Sequence, residues 1–363
     1  MKKNIFFLLP VFTYGAGQSI KRIILGLNYK KYNKNIICLG KCQFKKELLR
    51  KKVKVYELNH TKLIFAISDI KKILENNKIN KKILISNIHY TNVLSLLFFS
   101  KIKELKIIVT ERTAIKELNI YFGLIDFFKK KIIKLLIKIL YKKASTIITN
   151  STKSSKDLAK IVKLKINTIF SPSYIPNNFK LRKNRNRNRN KIIIAVSRLS
   201  QEKNILYLLR AINLIKNRKF ILKIIGDGEQ KKELVNFVYK NQLSKKVKFL
   251  NYKKNVKKFF LESDLFINSS FFEGFPNAVV ESLKYNVPVI CSKSHGGIFD
   301  ILKNNRYGYL FNLHKIENLS FLILKFLNNS SKFLKKTKDA KNNLKRFTIK
   351  KSVFNYEKLL DKL

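Results

Sequence analysis

Short runs of β-branched and aliphatic residues alternate with longer stretches of helical periodicity along the chain. The runs Asn4–Leu9, Asn35–Leu39, Val53–Tyr56, Lys82–Ile85, Lys106–Val109, Thr146–Thr149 and Asn167–Phe170 predict a first set of strands. They lack a clean apolar–polar alternation, as strands buried on both faces of a parallel sheet do. A second set follows: Lys191–Val196, Phe220–Ile225, Lys246–Leu250, Asp264–Asn268, Val287–Cys291 and Tyr309–Phe311. Strands separated by helices predict βαβ units. Two such series predict an α/β chain of two doubly wound, Rossmann-like domains facing a cleft. Ligands of such sheets bind beyond the carboxyl ends of the strands. The expected limits are residues 1–175 for the first domain, 176–190 for a linker and 191–345 for the second domain. Phe347–Leu363 reads as a terminal helix.

Several segments interrupt or test this pattern. Asn184 to Asn190 is an Asn-Arg repeat without an apolar residue, which reads as a solvated linker; an RNA-binding arm is the sharper alternative. Ile83 to Ser100 carries no formal charge and approaches the length of a membrane span. Ser86, Asn87, His89, Thr91 and Asn92 sit in its middle and suit strand, loop and helix better. Met1 to Pro10 looks like a signal peptide, but a Gly-rich turn follows it instead of a cleavage site, so a first buried strand fits better. Over Lys129–Tyr141, Lys131, Lys134, Lys138 and Lys142 recur at helical spacing with Ile132, Ile133, Leu135, Leu136, Ile139 and Leu140 between them. This is either a basic amphipathic helix suited to an anionic bilayer or a core helix with a solvated lysine face.

Charge changes the picture next. The 363 residues hold 78 Lys plus Arg against 22 Asp plus Glu, a net +56. Such a chain attracts nucleic acid, anionic membranes and phosphorylated substrates. The abundance of Lys, Ile, Asn and Phe also matches AT-rich codons, and the lysines form no single stripe. Three cysteines, Cys38, Cys42 and Cys291, show no zinc spacing and suit a reducing compartment.

The candidate chemistry lies mostly in the second half. Arg198 and Lys203 follow the strand Lys191–Val196, just before a helix expected near Asn204, where two cations can neutralise a diphosphate. Gly226-Asp227-Gly228-Glu229 follows the next strand as a turn of the phosphate-cradling kind. Phe272-Glu273-Gly274-Phe275-Pro276-Asn277-Ala278-Val279-Val280-Glu281 follows Asp264–Asn268. Pro276 suits a first helical position, Asn277 and Ala278 the helix start, and Glu281 a place about two turns along. Carboxylates accept paired hydrogen bonds from vicinal hydroxyls of a sugar or ribose. Acids are scarce here, which makes Glu273 and Glu281 stand out. His295-Gly296-Gly297 reads either as a close-approach loop or as a simple turn.

The Glu-Gly-Phe-Pro-Asn-Ala-Val-Val-Glu segment, placed after Ser-Arg-Leu…Lys and Gly-Asp-Gly-Glu, resembles the signature of retaining glycosyltransferase family 4 over about Lys191 to Phe311. Tyr14-Gly15-Ala16-Gly17 looks like the Gly-rich turn of that family, Ala144–Ser151 like its strand before the interdomain segment, and Ile175-Pro176-Asn177-Asn178 like its Pro-Asn turn. The resemblance implies a GT-B fold, with the final helix, residues 346–363, packing back on the first domain. It implies that Arg198 and Lys203 hold the donor diphosphate, Glu281 the ribose and Glu273 the transferred sugar, with Gly15, Ala16 and Gly17 approaching the donor. It further implies no cofactor and no metal; no Asp-x-Asp triplet is present. Where many members carry a histidine after a first-domain strand, this chain has Glu111-Arg112. Arg112 would orient the sugar or an acidic acceptor, and His89 is a further acceptor-binding candidate. The implied partners are a nucleotide diphosphate sugar, UDP-linked in the first instance, and a lipid-linked or polysaccharide acceptor. The implied location is cytoplasmic, at the inner face of the plasma membrane. The competing readings are a nucleic-acid-binding protein, which lacks a recognised motif, and an inactive membrane-peripheral relative.

Overall fold

A computed structural model describes residues 2–76, 81–176, 189–294 and 296–363. Most of the expected linker, and His295, lie outside the described residues. Contacts divide the chain into two compact units, residues 1–173 with 347–363 and residues 174–346.

In the first unit, the strands are β1 (Lys3–Leu8), β2 (Tyr32–Cys38), β3 (Lys54–Glu57), β4 (Lys82–Asn87), β5 (Leu105–Glu111), β6 (Thr146–Thr149) and β7 (Asn167–Thr168). They form one parallel sheet in the order β3-β2-β1-β4-β5-β6-β7. Alternate residues of β1 feed opposite cores: Phe6 and Leu8 on one face, Ile5 and Phe7 on the other. That two-sided burial is why its run Ile5–Leu8 is continuously apolar. Ile83–Ser100, whose length invited a span, divides into β4 and the helix His89–Phe99. Among the described residues no helix is long and apolar enough to cross a membrane. The terminal helix Ile349–Leu360 buries Val353, Tyr356 and Leu360 in this unit's core. It runs along the helix Tyr14–Gly26, where a Cβ on Gly26 would stand 2.4 Å from a Val353 methyl.

The second unit contains β8 (Lys191–Val196), β9 (Phe220–Ile225), β10 (Val247–Phe249), β11 (Leu265–Asn268), β12 (Val289–Ser292) and β13 (Tyr309–Phe311). These pair in parallel in the order β10-β9-β8-β11-β12-β13. Ile193, Leu222, Leu265 and Ile290 meet in its core with Leu208 and Ile212 of the helix Ile205–Leu214. Strand order reverses direction between β1 and β4 in one sheet and between β8 and β11 in the other. Both reversals open a crevice beyond the strands' carboxyl ends, where doubly wound sheets bind ligands.

Candidate active site

At the second reversal the loops after β8 and β11 are stitched together. Phe271 N donates to Glu202 O at 2.9 Å, and Ser269 Oγ to Lys203 O at 3.1 Å. The stitching aims two side chains at each other: Lys203 Nζ lies 2.8 Å from Glu273 Oε1. Ser270 Oγ at 2.7 Å and Asn268 Nδ2 at 3.2 Å donate to the same oxygen. Both charged side chains are largely sheltered, 18% exposed for Lys203 and 11% for Glu273. Burial pushes the Glu273 carboxyl up. The Lys203 ammonium and the two neutral donors outweigh burial, so it titrates below its ordinary value. Sequence reasoning found Lys203 and Glu273 but missed Asn268 and Ser270, whose types are common in any loop.

Three glycines let the neighbouring loops close around this pair. Gly226 has φ +146°, and a Cβ there would stand 1.7 Å from Ser197 O. At Gly228 a Cβ would meet Leu199 O at 2.5 Å. At Gly296, φ +112°, it would meet Glu273 O at 1.7 Å. Each pro-Cβ side thus faces protein backbone. Loop-on-loop packing therefore requires glycine at Gly226 and Gly228, in a turn that the sequence likens to a phosphate-cradling one. At Gly296 a positive φ and a backbone contact demand glycine under either reading of that loop.

The remaining second-unit candidates are placed less intimately. Arg198 is 68% exposed, and its guanidinium lies 2.7 Å from Glu202 Oε1. Lys203 and Glu273 therefore meet directly, while Arg198 leans on a different acid. The helix bearing Glu281 is Asn277–Lys284, with Pro276 preceding it as the cap residue. Glu281 sits about one turn along, not two, since it follows Asn277 by only four residues. It is half-buried, as are Asn277 and Ala278 at the helix start.

The first reversal is built differently. Gly15, Ala16 and Gly17, expected in a turn, occupy the first turn of the helix Tyr14–Gly26. Gly15 has open space where a Cβ would be, whereas one at Gly17 would touch Phe12 backbone at 3.0 Å. Asn87, ending β4, donates to Leu8 O at 3.1 Å and accepts from Arg112 Nε at 2.8 Å. Arg112 Nη2 reaches Tyr356 Oη of the terminal helix at 3.4 Å. Next, Ile88 takes φ +76°, a costly conformation for a β-branched residue. His89 then opens a helix and is wholly buried. Its Nδ1 lies 2.7 Å from Glu111 Oε2 and its Nε2 3.5 Å from Glu117 Oε2. Tyr141 Oη and Asn92 Nδ2 donate to the other Glu111 oxygen. Burial pulls the imidazole down, but the two carboxylates prevail and raise its pKa to about 10. The sequence assigns His89 and Arg112 to an acceptor. Both are buried among protein partners, His89 as an imidazolium between acids and Arg112 between Asn87 and Tyr356. The pairing of His89 with Glu111 and Glu117 was not foreseen, since only the fold makes it, and Tyr141 joins through Glu111.

Among the described residues no group of three or more His, Cys, Asp or Glu side chains is placed to hold a metal ion. The three thiols are free and buried.

Residues 177–347 match the family of group 1 glycosyl transferases. That match takes in nearly the whole of the second unit. The Lys203–Glu273 pair, the glycine-closed loops and the helix Asn277–Lys284 all lie within that match. The chain is 30% identical over 224 residues to a Campylobacter jejuni enzyme named N-acetylgalactosamine-N,N'-diacetylbacillosaminyl-diphospho-undecaprenol 4-alpha-N-acetylgalactosaminyltransferase, covering 61% of each chain. It is also 30% identical over 167 residues to an Escherichia coli UDP-Gal:alpha-D-GlcNAc-diphosphoundecaprenol alpha-1,3-galactosyltransferase, covering 40% of this chain and 42% of that one. The aligned stretches thus span less than two thirds of these relatives. Anabaena HepE, solved with UDP and glucose, superposes with a TM-score of 0.79 at 18% identity, over 99% of this chain and 100% of that one. The architecture is that of GT-B glycosyltransferases: two parallel-sheet α/β units.

Proposed function

We propose that this chain transfers a sugar from a nucleotide diphosphate donor, UDP-linked in the first instance, to a lipid-linked acceptor in cell-surface glycan assembly. The reading includes retention at the anomeric carbon, as in glycosyltransferase family 4, and no requirement for a metal ion. The observation that carries it is the sheltered Lys203–Glu273 pair at the sheet's reversal point, inside the group 1 match. The names of the Campylobacter and Escherichia relatives support a diphospho-undecaprenol-linked acceptor. HepE, solved with UDP, supports the nucleotide.

The roles follow from the chemistry of each group. Glu273, held ionised, is an acceptor only and suits two hydroxyls of the transferred sugar. Lys203, and Arg198 swinging from Glu202, offset the charge that builds on the departing diphosphate. The first N–H groups of the helix Asn277–Lys284 add to that field, and Glu281 takes the ribose hydroxyls. The bond from the anomeric carbon to the diphosphate oxygen breaks. A bond to the acceptor oxygen forms on the same face, and the acceptor's hydroxyl proton passes to a donor phosphate oxygen.

Thermal shift with UDP, GDP, ADP and their sugars is the first test, and a rise in melting temperature with UDP compounds is expected. Turnover of an undecaprenyl-diphosphate-linked sugar should then continue in EDTA and yield the donor's anomeric configuration. If no nucleotide shifts the melt, and Lys203→Ala and Glu273→Gln turn over like the parent, the reading is wrong.

A further inference from the structure

The helix Leu124–Leu140 is apolar on two sides. Ile133, Leu136, Ile137 and Leu140 face inward and pack into the first unit's core. Leu124, Ile125, Phe128, Ile132, Leu135 and Ile139 are each more than half exposed, Ile125 to 86%. From Ile125 onward their spacing alternates between three and four, which gathers them into one stripe about 100° wide. Phe122, just before the helix, is exposed as well. So are Leu97 and Phe98 at the end of the helix His89–Phe99, which packs against this one. Single exposed apolar residues are ordinary on a protein surface, but a continuous row along a helix marks an interaction face.

Lysines border the row. On a helical wheel Lys131 and Lys138 flank one edge and Lys129 the other, all exposed, and Lys142 and Lys143 follow its end. Lys129 Nζ stands 4.6 Å from the Tyr90 ring centre and Lys131 Nζ 5.3 Å from that of Phe127. These stems lie along apolar surface with the charged heads at its margin, as snorkelling side chains do. The helix's acid, Asp126, is occupied: Lys130 Nζ lies 2.7 Å away and Phe122 N donates to it at 3.1 Å.

We propose that this face docks the protein on an anionic bilayer, with the apolar row in the headgroup–acyl boundary and the lysines level with the lipid phosphates. Charge selects this occupant. A second copy would bring an identical lysine border and a second charge of +56 against the first. Anionic lipid neutralises both and accepts the apolar row. The sequence left open whether this is a helix suited to an anionic bilayer or a core helix with a solvated lysine face. The structure exposes lysines and apolar residues alike, the lysines as a border. The inference stands apart from the reaction chemistry proposed above.

Co-sedimentation of the full chain with vesicles tests it. Vesicles of mixed phosphatidylcholine and phosphatidylglycerol should bind it, and those of pure phosphatidylcholine much less. The double variant Ile132→Gln with Leu135→Gln should weaken partition about tenfold. Lys131→Glu with Lys138→Glu should weaken it at least as much and flatten the salt dependence. These sites are exposed, so melting should match the parent. If the double variant melts early, the single change Phe128→Gln takes its place. Parent-like binding by folded variants, or no binding to mixed vesicles, overturns the proposal. So does a concentration-dependent dimer in sedimentation velocity that Ile132→Gln with Leu135→Gln dissolves. Vesicle binding without turnover of any nucleotide sugar would sink the proposed reaction and leave the docking face standing.

Discussion

The two sheets reverse at equivalent points, and each gathers charged side chains there, but the charges are spent differently. Beyond β4 and β5, His89, Glu111, Glu117 and Tyr141 form a closed set whose hydrogen-bonding capacity is turned inward. Beyond β8 and β11, Lys203 and Glu273 neutralise each other while keeping partial access to solvent. Ionised groups removed from water must be paired, and a removed partner is costly. A closed network therefore contributes order to its unit. A half-open pair can exchange its internal partner for a ligand's charge. The same topology has yielded a closed ionic network in one unit and a candidate chemical site in the other.

The largest expected effect tests the closed set. Glu111→Leu leaves the His89 imidazolium, Tyr141 Oη and Asn92 Nδ2 without their common acceptor. A loss of about 3–5 kcal/mol is expected in urea unfolding. Nucleotide affinity of the protein that remains folded should be unchanged. The pH profile carries the same signature. His89 rises from an ordinary 6.5 to about 10 on folding. A raised pKa gives stability that is full below 6.5 and lost as pH climbs through about 10. The urea midpoint should fall over that alkaline range, and His89→Gln should flatten the decline. A parent-like slope in His89→Gln would detach the network from stability.

Next comes the open pair. Lys203→Ala should lower kcat/KM about 10²- to 10³-fold, the scale for removing one preorganised charge from a developing anion. It also strands the Glu273 carboxylate, whose depressed pKa depends on Lys203. That depression makes the pair's stability present above the ordinary carboxylate range and lost on acidification, so Lys203→Ala should abolish this acid-side loss. If urea stability collapses in Lys203→Ala while turnover persists, the two reversals serve one purpose and the contrast fails.

A smaller effect tests the frame around the pair. Gly296→Ala would place a methyl 1.7 Å from Glu273 O in a left-handed backbone, so the loop must shift. A cost of about 1–3 kcal/mol is expected, with reduced donor affinity because Glu273 moves too. An alanine variant with parent-like melting and donor affinity would show that the loops are not closed on one another in solution.

How much of this could be read from sequence depends on the range of the interactions. The strands were legible because burial on both faces leaves Ile5–Leu9 or Ile192–Val196 continuously apolar, a local property. Glu273 was legible because an acid among apolar neighbours in a lysine-rich chain is conspicuous. Its cradle of Asn268 and Ser270 was not, since nothing local sets those residues apart. His89 was noticed as a lone histidine, but its network runs through Glu111 as far along the chain as Tyr141, and only strand order brings these together. The packing role of the glycines was not legible: nothing local shows that a Cβ at Gly226 would meet the backbone of Ser197.

Arg198 offers the smallest stability effect and the sharpest division between holding the fold and holding a ligand. Its ion pair with Glu202 spans one helical turn's worth of sequence and lies mostly in water, where such pairs contribute about 0–1 kcal/mol. Arg198→Ala should therefore leave the melting temperature essentially in place. If the guanidinium leaves Glu202 for the donor diphosphate, the same variant should raise the donor KM about five- to tenfold, since a charge-assisted contact is lost only in the complex. Arg198→Lys keeps the charge but not the planar fork and should recover part of that loss. Parent-like donor binding in Arg198→Ala would confine the diphosphate to Lys203 and the helix start at Asn277. The exposed arginine would then be one more solvated cation on a protein that carries many.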